Sequence, residues 1–229
     1  SGDKIGFVDK EGAIVVKPQF TMYYGDCYDE SDNIRVAIDD LYGFPRSGGK
    51  VATYKRPMYG LINYKGETIF EPSFCSLLPA IGNKNLYTVQ DKNFGYAVLN
   101  TDGTEVVPYG KYSWIDGFDN GLTRVRIGNV TNGQKENGNK WGMINENGKV
   151  VLPLEYDDIW AFYGKKRVTT KVVKGDVAQN VFLSEILGKD EAQENDCSSS
   201  NYYDGDYRTS YGEYAGTYAQ DVEGYSDDV

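Results

Sequence analysis

Histidine is absent from this 229-residue chain, and cysteine occurs only three times. The lack of histidine excludes the commonest general base, the usual serine and cysteine triads, and most zinc ligand sets. Cys27, Cys75 and Cys197 lie far apart and form no Cys-x-x-Cys pair, so they predict no metal site. We predict free thiols at Cys27 and Cys75, and a disulfide bond between them is the alternative. We expect neither a metal nor a cofactor.

Long apolar runs and basic clusters are also missing. No stretch approaches the roughly 20 apolar residues of a membrane-spanning helix. Residues 1–188 carry 23 acidic and 22 basic side chains, whereas residues 189–229 carry eleven acidic and two basic ones. Nucleic acids and anionic membrane surfaces attract clustered lysine and arginine, so a nearly neutral body with an acidic end argues against both as partners.

The acidic end also differs from the body in composition. Residues 189–229 repeat tyrosine with glycine, serine and aspartate, contain almost no aliphatic side chains and lack a strand period. Such a segment buries too little surface to offset the entropy lost on ordering, so we expect disorder, with docking of its seven tyrosines as the alternative. The sequence therefore divides into a body, residues 1–188, and a tail, residues 189–229.

What the body does contain is a repeated pattern, clearest in "KWGMINENGKVVLPLEYDDI" from Lys140 to Ile159. An apolar run, a turn cluster around Gly148 and a β-branched run up to Pro153 predict a β-hairpin. Gly148 stands where the turn needs a positive φ. Pro153 has no N–H to give to a ladder, so we expect it to end the second strand.

Three earlier stretches share this frame: "IGFVDKEGAIVVKPQF", "YGLINYKGETIFEPSF" and "FGYAVLNTDGTEVVPYGKY". In three copies the first glycine and the turn glycine are six residues apart; in the third, Gly95 and Gly103 predict a turn that is two residues longer. The first glycines are Gly6, Gly60, Gly95 and Gly142, and the turn glycines are Gly12, Gly66, Gly103 and Gly148.

Each copy continues with apolar residues three apart and then an alternating run, such as Val168, Thr170 and Val172. A period of two predicts a half-buried strand, so each repeat should be an antiparallel unit of three or four strands. The fold class is therefore all-β, with four tandem hairpin or meander repeats. An open array is favoured, because unequal spacings place insertions in loops, and a small four-bladed propeller is the alternative.

The frame resembles the WG (tryptophan-glycine) repeat family, whose members recur as tandem β-hairpins. Lys140–Ile159 matches along its whole length, whereas the other copies keep the glycine and replace the tryptophan with Ile5, Tyr59 and Phe94. The resemblance extends over about residues 5–173. It implies an interaction module and no common catalytic residues.

Aromatic residues make up 14% of the chain and supply the candidate binding face. Trp114 and Trp160 lie off the inferred buried stripe, so we expect them to be exposed at matching places in the third and fourth repeats, with Tyr112 beside Trp114. The insertion Asp39–Met58 separates the first two repeats and adds Tyr42 and Phe44. Of all the predicted loops, it is the best suited to contact a partner.

Three functions fit these observations. The favoured one is a non-catalytic binding or scaffold module for a protein or a glycan. The second is a carbohydrate-active enzyme that uses carboxylates from different repeats, since adjacent pairs such as Asp157-Asp158 point to opposite faces of a strand. The third is a structural or surface-assembly protein. Compartment and oligomeric state stay open; export or a cell-surface location is compatible with a chain that begins SGDKIG, in which no signal segment is visible.

Overall fold

The computed structural model describes residues 4–24, 33–45, 51–128, 130–131, 134–135, 138–162 and 168–188. Residues 189–229, the predicted tail, lie outside this set, as do Cys27 and Cys197. The described chain is almost entirely antiparallel β-structure, as predicted.

Five sheets, here numbered I to V, follow one another along the chain. Sheet I pairs β1 (Ile5–Val8) with β2 (Ile14–Phe20). Sheet II is the meander β3 (Met22–Tyr24), β4 (Asn33–Pro45), β5 (Val51–Asn63) and β6 (Thr68–Phe74). Sheet III is the meander β7 (Ser76–Ala80), β8 (Asn83–Gln90), β9 (Tyr96–Asn100) and β10 (Glu105–Val107).

Sheet IV contains β11 (Trp114–Ile115), β12 (Leu122–Ile127), β15 (Lys140–Asn145) and β16 (Val150–Tyr156). Between β12 and β15, a two-residue pairing joins β13 (Val130–Thr131) to β14 (Gln134–Lys135). Sheet V contains β17 (Asp158–Ile159), β18 (Thr169–Lys174) and β19 (Val177–Phe182), followed by the helix α1 (Leu183–Leu187). No helix in the described residues is both long and apolar enough to cross a membrane.

The sheets do not coincide with the sequence repeats. The four repeat hairpins are β1–β2, β5–β6, β9–β10 and β15–β16. In sheets II, III and IV the first strand of the hairpin also pairs with the last strand of the repeat before it. Each of these sheets therefore joins the end of one repeat to the beginning of the next.

The first glycine of the frame is required by a close approach of two backbones. A Cβ on Gly60 or Gly142 would lie 2.7 Å from the carbonyl oxygen of Phe70 or Leu152 on the partner strand. The pairing register shifts at both glycines, which marks an irregularity in the ladder. Glycine is thus kept here because the partner strand leaves no room for a side chain.

The prolines do not end the second strands, contrary to expectation. Pro18, Pro72 and Pro153 lie inside β2, β6 and β16, which are edge strands of their sheets. On an edge strand a residue without an N–H costs no ladder hydrogen bond on its outer side. In the third repeat, by contrast, β10 ends at Val107, before Pro108.

The third hairpin corrects the predicted alignment. Its pairs Val98–Val107 and Leu99–Glu105 correspond to Leu61–Phe70 and Ile62–Thr68 of the second hairpin. The residues equivalent to Tyr59-Gly60 are therefore Tyr96-Ala97, and the turn is not longer than in the other repeats. The alanine stands opposite a shorter partner strand, since β10 ends at Val107 whereas β6 continues to Phe74.

Phe94-Gly95 instead belongs to the turn between β8 and β9. The Asp91 carboxylate accepts hydrogen bonds from the backbone N–H groups of Asn93 and Gly95, at 2.9 and 2.8 Å. Asn145 and its neighbours form the same kind of turn in the fourth hairpin. Phe94, with φ +65°, occupies the place that Gly148, with φ +72°, has there.

Consecutive sheets pack against each other, and this stacking forms the core. Sheets I and II share a cluster of Val16, Phe20, Val36 and Ile62. Sheets II and III share Leu61, Phe70, Leu77, Tyr87, Val89, Ala97 and Leu99. Sheets III and IV share Ala80, Leu86, Val98, Val107, Tyr112, Ile115, Phe118, Val125 and Ile144. Sheets IV and V share Leu122, Met143, Leu152, Ile159, Phe162 and Val172, together with Leu183 of α1.

These clusters make the body an open repeat array, as predicted. Each cluster joins neighbours in the series, and none of those found in the described residues joins sheet I to sheet V. At the last sheet, β19 pairs with β18 over six residue pairs, and α1 packs against the core of sheets IV and V. The end of β19 and the helix α1 therefore cover this end of the array.

Candidate interaction surface

The predicted insertion between the first two repeats is an extended ribbon. β4 and β5 stay paired from Asp39–Pro57 out to Pro45–Val51, beyond the positions where β3 and β6 flank them. We call residues 39–45 and 51–57 the ribbon. Both of its outer edges lack a neighbouring strand in the part of the chain that the structure describes. Such edges present backbone N–H and C=O groups on which another chain can pair.

The ribbon also exposes apolar side chains. Leu41, Val51 and Tyr54 are 67%, 64% and 41% exposed. Near its base, Asp39 forms an ion pair with Lys55 at 3.7 Å and accepts a hydrogen bond from the Thr21 hydroxyl at 3.3 Å. An isolated two-stranded ribbon is marginally stable in water, so exposed apolar groups on it favour a contact surface.

Tyr42 and Phe44, the predicted site residues of this segment, lie within the ribbon. In the ladder Tyr42 is opposite Tyr54 and Phe44 is opposite Ala52. The side chains of Tyr42 and Phe44 lie outside the described part of the structure. Their participation in binding stays a prediction.

Trp114 is partly buried and is held by neighbours from two sheets. Its indole N–H donates to the Asp116 carboxylate at 2.8 Å, and its ring centroid lies 5.1 Å from that of Tyr96 in sheet III. The Arg126 guanidinium lies 5.8 Å from the ring centroid on the neighbouring strand. All of these contacts of the indole are made with other residues of the fold.

The arginines beside Trp114 connect it to the tryptophan of the fourth repeat. The guanidinium groups of Arg124 and Arg126 lie 5.7 and 5.4 Å from the ring centroid of Trp141. Arg124 also pairs with the Asp116 carboxylate and donates to the Ile159 carbonyl of sheet V at 2.7 Å. Burial lowers the pKa of Arg126, whereas the nearby Tyr96 and Asp116 raise it and so oppose part of this shift. These contacts connect sheet IV with sheets III and V.

Tyr112, proposed from sequence as a companion of Trp114, is only 4% exposed. It packs in the core between sheets III and IV, and burial raises the pKa of its phenol. The structure thus places it in the interior rather than beside an exposed tryptophan.

Trp160 is exposed, as expected, but it does not match Trp114 in register. Its exposed fraction is 40%, and the Lys171 ammonium lies 4.7 Å from the ring centroid. Its carbonyl accepts a hydrogen bond from the Thr170 hydroxyl at 2.6 Å, as the Asp116 carbonyl does from Thr123 at 2.8 Å. Trp160 therefore corresponds to Asp116, two residues beyond Trp114, and the expected matching of the two tryptophans is wrong.

The carboxylates considered for chemistry serve local structure where they are described. Asp157 accepts hydrogen bonds from the Lys140 ammonium at 2.5 Å and the Gly175 N–H at 2.7 Å, and these contacts lower its pKa. Asp40 accepts from the backbone N–H of Leu41. Within the described residues no group of three or more cysteine, aspartate or glutamate side chains is placed to hold a metal ion. Cys75, between β6 and β7, is a free thiol whose pKa is raised chiefly by burial.

A shallow groove of about 360 Å³ lies at the rim between sheets IV and V. Its lining residues are Glu155, Tyr156, Val172, Lys174, Val177 and Gln179. Glu155 and Lys174 form an ion pair of 3.0 Å, so the charged groups of the groove neutralise each other.

The fold and these surfaces define an all-β tandem-repeat protein. Three parts of the chain, residues 5–42, 96–130 and 141–166, match the family model described as the WG containing repeat. These three parts of the chain are identified as WG repeats. No curated protein and no solved structure matches the chain.

The matched ranges agree with the structural register. The second range begins at Tyr96, the residue that the strand pairing identifies as the start of the third hairpin. The β5–β6 hairpin falls outside the matched ranges, yet its bulge at Gly60 and its turn at Asn63 repeat those of the other copies. Local sequence offered one signal that the prediction missed: Asn100 stands three residues before Gly103, as Asn63 does before Gly66.

Proposed function

We propose that this tandem-repeat protein is a non-catalytic protein-interaction module and that the ribbon is its principal contact. The observation that carries the proposal is the projection of β4 and β5 beyond their sheet with Leu41, Val51 and Tyr54 exposed. The stacked sheets hold the base of the ribbon, so its position is fixed before a partner arrives, which lowers the entropy cost of association.

A protein suits this surface better than a glycan does. Glycan sites use open aromatic faces, whereas the ring of Trp160 has the Lys171 ammonium over it and Trp114 is engaged with Tyr96 and Asp116. Exposed aliphatic side chains next to a strand edge that has no neighbouring strand among the described residues suit a polypeptide, which can add both apolar contacts and ladder hydrogen bonds.

Two of the described carboxylates have an acid–base chemistry that suits a structural role. The pKa values of Asp102 and Asp157 are shifted downward, chiefly by hydrogen bonds from the Thr104 backbone and the Lys140 side chain. A general acid in a glycosidase needs the opposite shift. These two groups are therefore suited to structural hydrogen bonding.

The proposal can be tested by shortening the ribbon. Residues 39–57 are replaced by Asn-Gly, which places a two-residue turn between the paired residues Ile38 and Met58. The melting temperature should change little, while capture of a purified partner, first isolated with the whole chain from cells that produce it, should be lost.

A pair of point variants refines the test. Leu41→Asn with Tyr54→Asn should weaken capture by at least about ten-fold, because contact energy concentrates in a few apolar anchors. Tyr64→Asn is the matched control, since Tyr64 is 64% exposed in the turn that follows β5. Equal capture by the shortened variant and the wild type would refute the role of the ribbon.

A further inference from the structure

Sheet I contains a repeat hairpin and nothing else that the structure describes. In sheets II, III and IV, the first strand of the hairpin has a second neighbour: β4 beside β5, β8 beside β9, and β12 beside β15. Within the described residues, β1 pairs only with β2. Among these residues, no strand forms ladder hydrogen bonds with the backbone N–H and C=O groups along the other edge of β1.

Side-chain exposure also indicates that sheet I lacks a neighbour among the described residues. Val8 is opposite Ile14 in the ladder, and these two residues are 63% and 66% exposed. Residues at the position of Val8 in the other hairpins are buried: Ile62, Leu99 and Ile144 are 3%, 8% and 0% exposed. Those three side chains pack toward the preceding sheet. Sheet I thus presents an apolar face where the other sheets have a neighbour.

The molecule itself shows which kind of strand covers this edge. Val36 is opposite Gly60, Val125 is opposite Gly142, and Val89 is opposite Ala97. All three valines are 0% exposed. The strand that completes a WG hairpin therefore runs antiparallel to it and places a valine opposite the small residue of the Trp-Gly position, which in sheet I is Gly6.

We propose that the open edge of β1, with Val8 and Ile14, is a docking site for the strand pair that ends another WG-type repeat. The pair β11–β12, which completes sheet IV, is the template for this partner. A second copy of the chain fits less well. Its own pairs of this type are already covered by β5, β9, β15 and β19. The site is separate from the ribbon and does not depend on the proposed function.

A synthetic peptide of residues 111–128, which contains β11 and β12, serves as the probe. Its fluorescein-labelled form is titrated with the whole chain, and binding is followed by fluorescence anisotropy. Saturable binding is expected, and a Val125→Lys peptide should bind at least about ten-fold more weakly, because a charged side chain replaces the valine opposite Gly6.

Protein variants locate the site. Val8→Lys should also weaken peptide binding at least about ten-fold, since a charged residue on a strand edge opposes pairing. Val177→Lys is the matched control and should leave binding unchanged, because Val177 is 65% exposed on β19 at the other end of the array. The shortened-ribbon variant should bind the peptide like the wild type, so the two proposals can fail separately.

Three results would overturn the proposal. Absence of saturable binding would remove the docking site, and binding that Val8→Lys does not weaken would place the peptide elsewhere. Self-association of the chain that Val8→Lys abolishes, measured by sedimentation, would assign the edge to a second copy instead.

Discussion

Gly148 lies against the backbone of the preceding sheet, where a Cβ would come within 2.9 Å of the Val106 carbonyl oxygen. The glycine also has a φ of +72°. It therefore serves two purposes: it closes the hairpin turn of sheet IV, and it lets that turn pack on β10 of sheet III. The turn at Gly66 also lies close to sheet I, where a Cβ would come within 2.6 Å of the Val16 side chain.

The two purposes can be separated by comparing two glycines. Gly103 has φ +85°, but a Cβ there would meet nothing within 4 Å. Gly103→Ala should lower the free energy of unfolding by about 1 kcal/mol, the cost of left-handed backbone. Gly148→Ala should cost about 1–2 kcal/mol more, because the sheets must also move apart. Urea denaturation measures both, and equal losses would show that Gly148 has no stacking role.

Phe94 offers the reverse experiment. It adopts φ +65° at a turn position where the hairpins have glycine, and its side chain is 55% exposed. We expect Phe94→Gly to be more stable than Phe94→Ala by about 1 kcal/mol, because alanine loses the ring but keeps the strain, whereas glycine relieves it. Thermal unfolding of the two variants gives the order of stability. An alanine variant as stable as the glycine variant would contradict the strain argument.

Asp157 should make stability depend on pH in acid. Its pKa lies below the ordinary value of 3.8, first because of the Lys140 hydrogen bond and then because of the Gly175 N–H. A carboxyl whose pKa falls on folding stabilises the folded state above its unfolded pKa, and this contribution is lost as the pH falls through the folded pKa. Wild type should therefore be more stable than Asp157→Asn at pH 6, and the difference should shrink below about pH 4.

The control for this titration is Lys140→Met, which removes the donor that chiefly lowers the pKa of Asp157, so in this background Asp157→Asn should produce a smaller difference at pH 6. A gap between wild type and Asp157→Asn that stays constant from pH 6 into acid would mean that ionisation of Asp157 does not support the fold.

Replacement of Trp114 by alanine should lower the stability of the protein more than replacement of Trp160 does. Trp114→Ala removes a hydrogen bond to Asp116 and the ring contact with Tyr96, and it should cost about 2 kcal/mol of unfolding free energy. Trp160→Ala removes an exposed ring and should cost less than about 1 kcal/mol. Chemical denaturation tests this order. If the costs are equal, the tryptophan contacts in sheet IV do not stabilise the array.

The sequence by itself determined the hairpins, because their signals are local. Turn glycines, β-branched runs and the six-residue spacing act within some fifteen residues, and the positive φ of Gly148 follows from its own neighbours. It also indicated the open array. The third hairpin was misaligned because Phe94-Gly95 imitates the Trp-Gly pair locally, whereas strand pairing selects Tyr96-Ala97.

Only the tertiary structure decided how the hairpins combine. Sheets cross the repeat boundaries because the last strand of one repeat pairs with the first strand of the next, a choice that no window of sequence contains. Tyr112 is buried, and Trp114 contacts Tyr96, because sheet III packs on sheet IV. Alternation of apolar residues along a strand cannot reveal which face of the sheet meets a neighbouring sheet. The exposure of Val8, whose counterparts are buried, likewise depends on which sheets stand next to it.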